Sequence, residues 1–119
     1  MSDPHKTVLQ QANAAIEQGD IEGFLAYCTE DVAWTAVGAP TIEGKAAVRA
    51  WMAETYRTPP EFTVHRLIAE DDMVVAIGEI TSRDERGVET RNAYSDVWQF
   101  RDGRMAALQA FVVALPEKR

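Results

Sequence analysis

Apolar positions repeat with a helical period in the first half of the chain and with a period of two in the second. The spacing of Val8, Ala12, Ala15 and Ile16 predicts a helix over residues 7–18, followed by Gly19 where a left-handed cap is wanted. Asp20 then stands at an N-cap position, with Ile21, Phe24, Leu25 and Cys28 at i, i+3, i+4 and i+7, so two helices meet at a Gly-Asp corner. A strand is predicted over residues 32–37, ended by Gly38-Ala39-Pro40. Val48, Trp51, Met52 and Tyr56 keep helical spacing behind Gly44, which predicts a third helix over about residues 45–56 that Pro59-Pro60 cannot continue. Alternation takes over at residue 62 and predicts strands over 62–69, 73–82, 91–100 and 105–115. The acidic turn Glu70-Asp71-Asp72, the loop Arg83-Asp84-Glu85-Arg86-Gly87 and the turn Asp102-Gly103 separate them. Short connections between successive strands mean antiparallel hairpins, so the helices must cover one face of a curved sheet in an α+β architecture.

The strand at 91–100 has an unusual face. Asn92, Tyr94, Asp96, Trp98 and Phe100 share one side, and Ala93, Ser95, Val97 and Gln99 the other. The first set is bulkier and more aromatic and is expected to look inward, yet it carries a carboxylate at its middle. An inward Asp96 requires either a satisfied polar network or a pocket wide enough for a ligand. Its two readings are a general acid or base, or ligand-orienting group, at a cavity floor, and a structural hydrogen bond to Tyr94, Trp98 or a helix end. Asn92 either orients a ligand carbonyl or caps a backbone group near the strand start.

Composition narrows the class. A chain of 119 residues is expected to form one domain over residues 1–119, enough to bury roughly two-thirds of its unfolded surface. The net charge of −7 argues against nucleic acid as a partner and does not suggest a membrane surface. Cys28 is the only cysteine, so neither an internal disulfide nor a cysteine-based zinc site can form, and a reducing compartment fits. The start Met1-Ser2-Asp3-Pro4-His5-Lys6 has no apolar run behind a basic segment, and a cytoplasmic location is the default expectation. Gly38 and Gly44 are isolated and form no phosphate loop, and no Ser lies in a nucleophile elbow. Two histidines sixty positions apart make no metal set, so neither metal nor cofactor is expected.

Four segments together carry a family resemblance. Gly19-Asp20-Ile21-Glu22, the run from Tyr27 to Val32 with Thr29-Glu30-Asp31, Ile42-Glu43-Gly44-Lys45, and Asp96-Val97-Trp98-Gln99-Phe100-Arg101-Asp102-Gly103-Arg104 resemble the nuclear-transport-factor-2-like (NTF2-like) superfamily, in its SnoaL-like and ketosteroid-isomerase-like branch. The resemblance spans roughly residues 7–113 and implies a cystatin-like cone: a curved antiparallel sheet around about three N-terminal helices, an apolar cavity inside, and commonly a homodimer. The fold hosts isomerases, cyclases, dehydratases, epoxide hydrolases and plain binding modules. Asp96 falls where the isomerases hold a protonated Asp that donates to the substrate oxyanion. Their general base falls at Ala36 and their oxyanion-hole Tyr at Ala12, so steroid isomerisation by that route is not expected. The pair Asn92 and Tyr94 resembles an Asn-x-Tyr step of SnoaL-like sequences. Those sequences commonly end the last strand on Asp, where this chain has Ala110-Phe111-Val112-Val113.

A second titratable group beside Asp96 would distinguish catalysis from binding. If the larger set on the preceding strand, Met73, Val75, Ile77, Glu79 and Thr81, faces the cavity, Glu79 approaches Asp96; otherwise Glu79 pairs with Arg83 or Arg91 in solvent. His65 is either a base near neutral pH or a partly exposed structural residue. Trp34, Trp51, Met52, Tyr56, Trp98 and Phe111 are candidate cavity-wall, ligand-binding residues, each with core packing as its alternative. Cys28 reads as packing. The expected function is therefore a cofactor-free enzyme doing isomerisation, cyclisation, dehydration or epoxide hydration on a small apolar carbonyl or polyketide-like molecule. Asp96, Tyr94, Asn92, Glu79 and His65 are its candidate catalytic residues. The rival is a module that binds a hydrophobic ligand or acts through its dimer, whose contact would use the face bearing Ala93, Ser95, Val97 and Gln99.

Overall fold

The computed structural model describes residues 4–83 and 86–116, so positions 84 and 85 of the predicted loop and the first three residues of the N-terminal segment lie outside the described residues. In chain order the elements are α1 (Pro4–Glu17), α2 (Ile21–Leu25), β1 (Cys28–Ala36), β2 (Ile42–Glu43), α3 (Lys45–Thr55), β3 (Glu61–Glu70), β4 (Met73–Arg83), β5 (Glu89–Arg101) and β6 (Arg104–Ala114). The corner between the first two helices forms as its residues dictate. Gly19 takes a φ of 75°, and the Asp20 carboxylate accepts from the Gly23 amide at 2.9 Å.

The strands form one sheet in the order β2-β1-β6-β5-β4-β3, with β1 parallel to β6 and the remaining neighbours antiparallel. Asp102 and Gly103, at φ 53° and 79°, both take the left-handed conformation that a two-residue hairpin needs, which sets the β5–β6 register. The helices lie on one face. Leu9, Phe24, Leu25, Val48 and Met52 pack from the helices onto Val32, Val74, Trp98, Met105 and Leu108 of the sheet, each at most 2% exposed. Arg49 clamps α3 to α2 by donating from Nε and Nη2 to the Glu22 carboxylate at 2.6 and 3.0 Å. This is an NTF2-like α+β cone with a curved, unclosed mixed sheet.

Three local expectations are corrected by tertiary pairing. Cys28 does not close a helical stripe, because α2 ends at Leu25 and Cys28 opens β1, paired with Met105 and fully buried. The strand predicted from residue 32 therefore begins four residues earlier, with an irregularity in its register between Cys28 and Ala33. The two-residue β2 was not foreseen, since two residues carry no period; it pairs with Ala33 and Trp34 of β1.

Of the two directions left open for β4, the structure takes the one that turns the smaller set inward. Val74, Ala76 and Gly78 are buried against the helices, and Met73 and Ile77 are exposed on the outer face. The interior takes the smaller set because β5 already fills it: Trp98, Asp96 and Tyr94 stand beside Val74, Ala76 and Gly78. At Gly78 a Cβ would overlap the Thr63 carbonyl and stand 3.0 Å from the Tyr94 hydroxyl. Gly78→Ala is expected to lower stability by about 1–3 kcal/mol through overpacking, read as a lower midpoint in denaturant unfolding.

Candidate active site in the cone

Asp96 lies in the middle of β5, and its cross-strand neighbours are both alanine: Ala76 on β4 and Ala110 on β6. Ala36 of β1 pairs with Ala110 and continues that row. The row on one side is solid, with Trp34, Leu108, Trp98 and Val74 in line. The row on the other carries Val112, Tyr94 and Gly78. Packed interiors leave few voids, and the small side chains of Ala110 and, at the rim, Ala36 leave space beside Asp96 on the inner side of the sheet. The result is a hollow of about 200 Å³, closed on the helical side by Asn13 and Ile16 of α1, Phe24 of α2, Trp51 of α3 and Tyr56 at its C-cap.

The aromatic rings around it stand as walls. Trp34 meets Trp98 at 84° with centroids 5.9 Å apart, Phe24 meets Trp34 at 72° and 6.0 Å, and Trp51 meets Tyr56 at 74° and 5.5 Å. Trp34 and Trp51 close the box at 5.2 Å. The first three contacts are edge-to-face and the last is tilted at 45°, geometries favourable for the ring quadrupoles in which the rings do not stack.

Electrostatically the hollow is one acid among neutral groups. Among the described residues the Asp96 carboxyl has no hydrogen-bond or ion-pair partner, and burial alone pushes its pKa up to about 7. The phenols of Tyr56 and Tyr94 are each raised to about 12, by burial first and then by the Asp96 charge, with Glu17 adding to the effect on Tyr94. No Lys, Arg or His lines the hollow among the described residues.

A family model described as a SnoaL-like domain matches residues 9–108. The chain belongs to the SnoaL-like domain family. A search of curated protein sequences returned no match. Among solved structures, this SnoaL-like domain is similar to an NTF2-like protein of unknown function from Burkholderia pseudomallei, with a TM-score of 0.84 and 19% identity over 92% of this chain and 90% of that one. It is similar to SalBIII, described as an epoxide hydrolase/cyclase-like enzyme in pyran ring formation in polyether salinomycin (TM-score 0.83, 17% identity, 93% and 95% covered). A third is RV0760c from Mycobacterium tuberculosis, in complex with estradiol-17beta-hemisuccinate (TM-score 0.79, 20% identity, 92% and 93% covered). At these identities the likeness establishes the fold.

Within the SnoaL-like domain, Asp96, Tyr94, Trp34, Trp51, Tyr56 and Trp98 come together on the hollow. The other candidates stand elsewhere. Glu79 points to the outer face, where Arg91 donates to it at 2.5 Å and His65 Nε2 lies 3.3 Å away, and these two partners hold its pKa below the usual carboxylate range. His65 lies on the same exposed outer surface. The expected approach of Glu79 or His65 to Asp96 is thus replaced by the solvated ion pair, because their strands turn the even-numbered β4 residues inward. Asn92 is buried, but its amide is spent on the protein: Nδ2 donates to the Ile80 and Thr90 carbonyls and the Ser82 hydroxyl, all at 3.1 Å. Met52 is sealed in the core away from the hollow. Phe111 is 43% exposed on the outer face opposite Ser95, since alternation on β6 turns Ala110 and Val112 inward instead. Asn13, Ile16, Phe62 and Ala110 were missed, although Asn13 sits one residue after the position where the isomerases place their Tyr.

The pKa of Asp96 has a stability consequence with a definite sign. A carboxyl whose folded pKa is raised costs nothing below the unfolded value near 4. The cost grows by about 1.4 kcal/mol per pH unit up to about 7 and is constant above it. Asp96→Asn is therefore expected to be more stable than the native chain at pH 8, by about 2–4 kcal/mol, and to lose that advantage by pH 4, as read from urea unfolding at the two pH values.

Proposed function

We propose that this SnoaL-like domain is an acid-base enzyme acting on a small apolar carbonyl-bearing molecule, with Asp96 as its single proton-transfer group. The observation that carries the reading is an unpartnered carboxyl with a pKa of about 7 at the floor of an aromatic hollow. Near neutral pH both its forms are populated, which is the condition for taking a proton from carbon and returning it elsewhere on the same molecule. The Asp96 carboxylate accepts the proton α to the carbonyl, the C–H electron pair moves into an enolate, and the resulting carboxylic acid reprotonates the enolate at carbon. Tyr56 and Tyr94, kept protonated by their raised pKa values, are the donors for the enolate oxygen. This distribution of roles differs from the isomerases: with alanine at positions 36 and 12, the base and the phenolic donor have to come from positions 96, 94 and 56. The hollow is smaller than the roughly 300–1,000 Å³ of sites for drug-sized molecules, which favours a one- or two-ring substrate. The rival reading, a binding module, draws support from the outward Glu79 and His65, which leave Asp96 without a second titratable partner of its own kind.

Exchange of α-protons separates the two. In D₂O, 2-tetralone is expected to exchange its α-hydrogens faster with the native chain than with Asp96→Asn, by about 10²–10⁴-fold, with a native rate that rises with pH through about 7. Equal rates for the two proteins, followed by NMR, would leave only the binding module.

A second copy of the chain is the partner we propose for the outer sheet face. That face exposes Ile68, Met73, Ile77, Phe111 and Val113 at 46, 40, 38, 43 and 65%, around the row Ala93, Ser95, Val97 and Gln99. Contiguous apolar surface of this kind on a sheet is costly in water and is relieved by a self-complementary contact. Phe111→Glu is expected to shift sedimentation from dimer to monomer without changing the circular dichroism spectrum; a native chain that sediments as a monomer would refute the dimer.

A further inference from the structure

The walls of the hollow carry negative electrostatic character from several directions and no compensating positive group. Three tryptophans, Trp34, Trp51 and Trp98, and the phenol ring of Tyr56 surround the space, and aromatic faces attract cations through the ring quadrupole. Their mutual angles, between 45° and 84°, make a cage and not a stack, and Trp51 and Tyr56 are only partly buried. Among the described residues, Asp96 shares this space with no cationic side chain. The groups facing it are Asn13 from α1, Trp51 and Tyr56 from α3 and its cap, Ala36 from β1, Phe62 from β3, Ile80 from β4, Tyr94 and Trp98 from β5, and Ala110 and Val112 from β6. Glu17, whose charge reaches Tyr94, adds to the same sign. With a net charge of −7 the chain as a whole also favours approach of a cation.

We propose that the hollow recognises small hydrophobic organic cations, protonated amines or quaternary ammonium groups, with Asp96 as counter-ion and Trp34, Trp51, Trp98 and Tyr56 as the cage. The proposal rests on the reading of the hollow as a ligand site and adds a ligand class to it. Bringing two ions together in an apolar site is usually offset by the loss of both hydration shells. Here the fold has already part-buried Asp96 among apolar groups, and a quaternary ammonium is weakly hydrated, so part of that cost precedes binding. The geometry also fits size: a ring joined to an alkylammonium head suits a space of about 200 Å³.

Benzyltrimethylammonium and its uncharged carbon analogue neopentylbenzene make the test, titrated into the full chain and followed by tryptophan fluorescence. At pH 8 the cation is expected to bind at least tenfold tighter than the neutral analogue. Its affinity should fall as the pH drops below about 7, approaching tenfold per unit, because the carboxylate must be ionised to pair. The neutral analogue should show no such slope. Asp96→Asn is expected to abolish the slope and the preference while still binding neopentylbenzene, which also shows that the variant is folded. Cation and neutral analogue binding equally, a pH-independent cation affinity, or an unchanged preference in Asp96→Asn would each overturn the proposal. Binding of neopentylbenzene alone would overturn it while leaving the carbonyl reading intact, and binding of neither probe would overturn both.

Discussion

The structure is arranged around a carboxyl group that is part-buried among apolar side chains and, among the described residues, has no hydrogen-bond or ion-pair partner. An isolated charge in an apolar interior is among the most expensive features a fold can carry, and the usual outcome is a shifted pKa. Asp96 shows that outcome with burial as its only cause, in contrast to carboxyls whose pKa reflects a partner. The opposing stability comes from the rings that surround it and from the long antiparallel pairing of β4, β5 and β6, which hold Asp96 in place from both sides. Removing the acid would relieve the fold, whereas removing the rings would cost it. A site that is destabilising in itself and supported by everything near it is the expected pattern where strain serves chemistry.

Much of this was legible from residue order. The Gly19-Asp20 corner, the alternation of β3 to β6 and the inward direction of Asn92, Tyr94, Asp96 and Trp98 follow from local rules, because caps, turns and period-two alternation are set within a few residues. What was not legible depends on which partner a residue meets. Cys28 has helical spacing but is drawn into the sheet by Met105, a residue 77 positions away. Side-chain size left the direction of β4 open, and the inner face, already occupied by Trp98, Asp96 and Tyr94 of β5, decided it. A preference for large side chains put Phe111 among the cavity-wall candidates and overlooked Ala110. An alanine in a strand looks uninformative alone; only the register that aligns Ala36 and Ala110 with Asp96 makes them part of the hollow's lining.

The alanines at positions 12 and 36 acquire a different meaning once the geometry is known. Ala12 on α1 is fully buried and carries no phenol, so in the proposed reading the donor role goes to Tyr56 and Tyr94, whose phenols the Asp96 charge influences. Ala36 stands exposed at the rim, in the same row as the acid and two strands away from it. A base at that position would share the hollow with Asp96 and couple to it; its absence leaves one titrating carboxyl to act as both acceptor and donor. The proposed chemistry is correspondingly limited to reactions in which one proton leaves and returns, and in which charge develops on a single oxygen.

Glu79 and Asp96 show how little sequence is needed to make two carboxylates behave oppositely. They sit on neighbouring strands, Glu79 opposite Ala93 and Asp96 opposite Ala76, so the parity of alternation alone sends one to each side of a sheet a single layer thick. On the outer side Arg91 and then His65 lower the pKa of Glu79, and water screens the pair, so it is a surface feature of small energetic weight. On the inner side burial raises the pKa of Asp96 to about 7, so the same kind of group has both protonation states populated near neutral pH. Moving Arg91 by one position would place a guanidinium on the inner face near Tyr94 and pull the Asp96 pKa down. The placement of Arg91 on the outer face is therefore as much a part of the site as the acid itself.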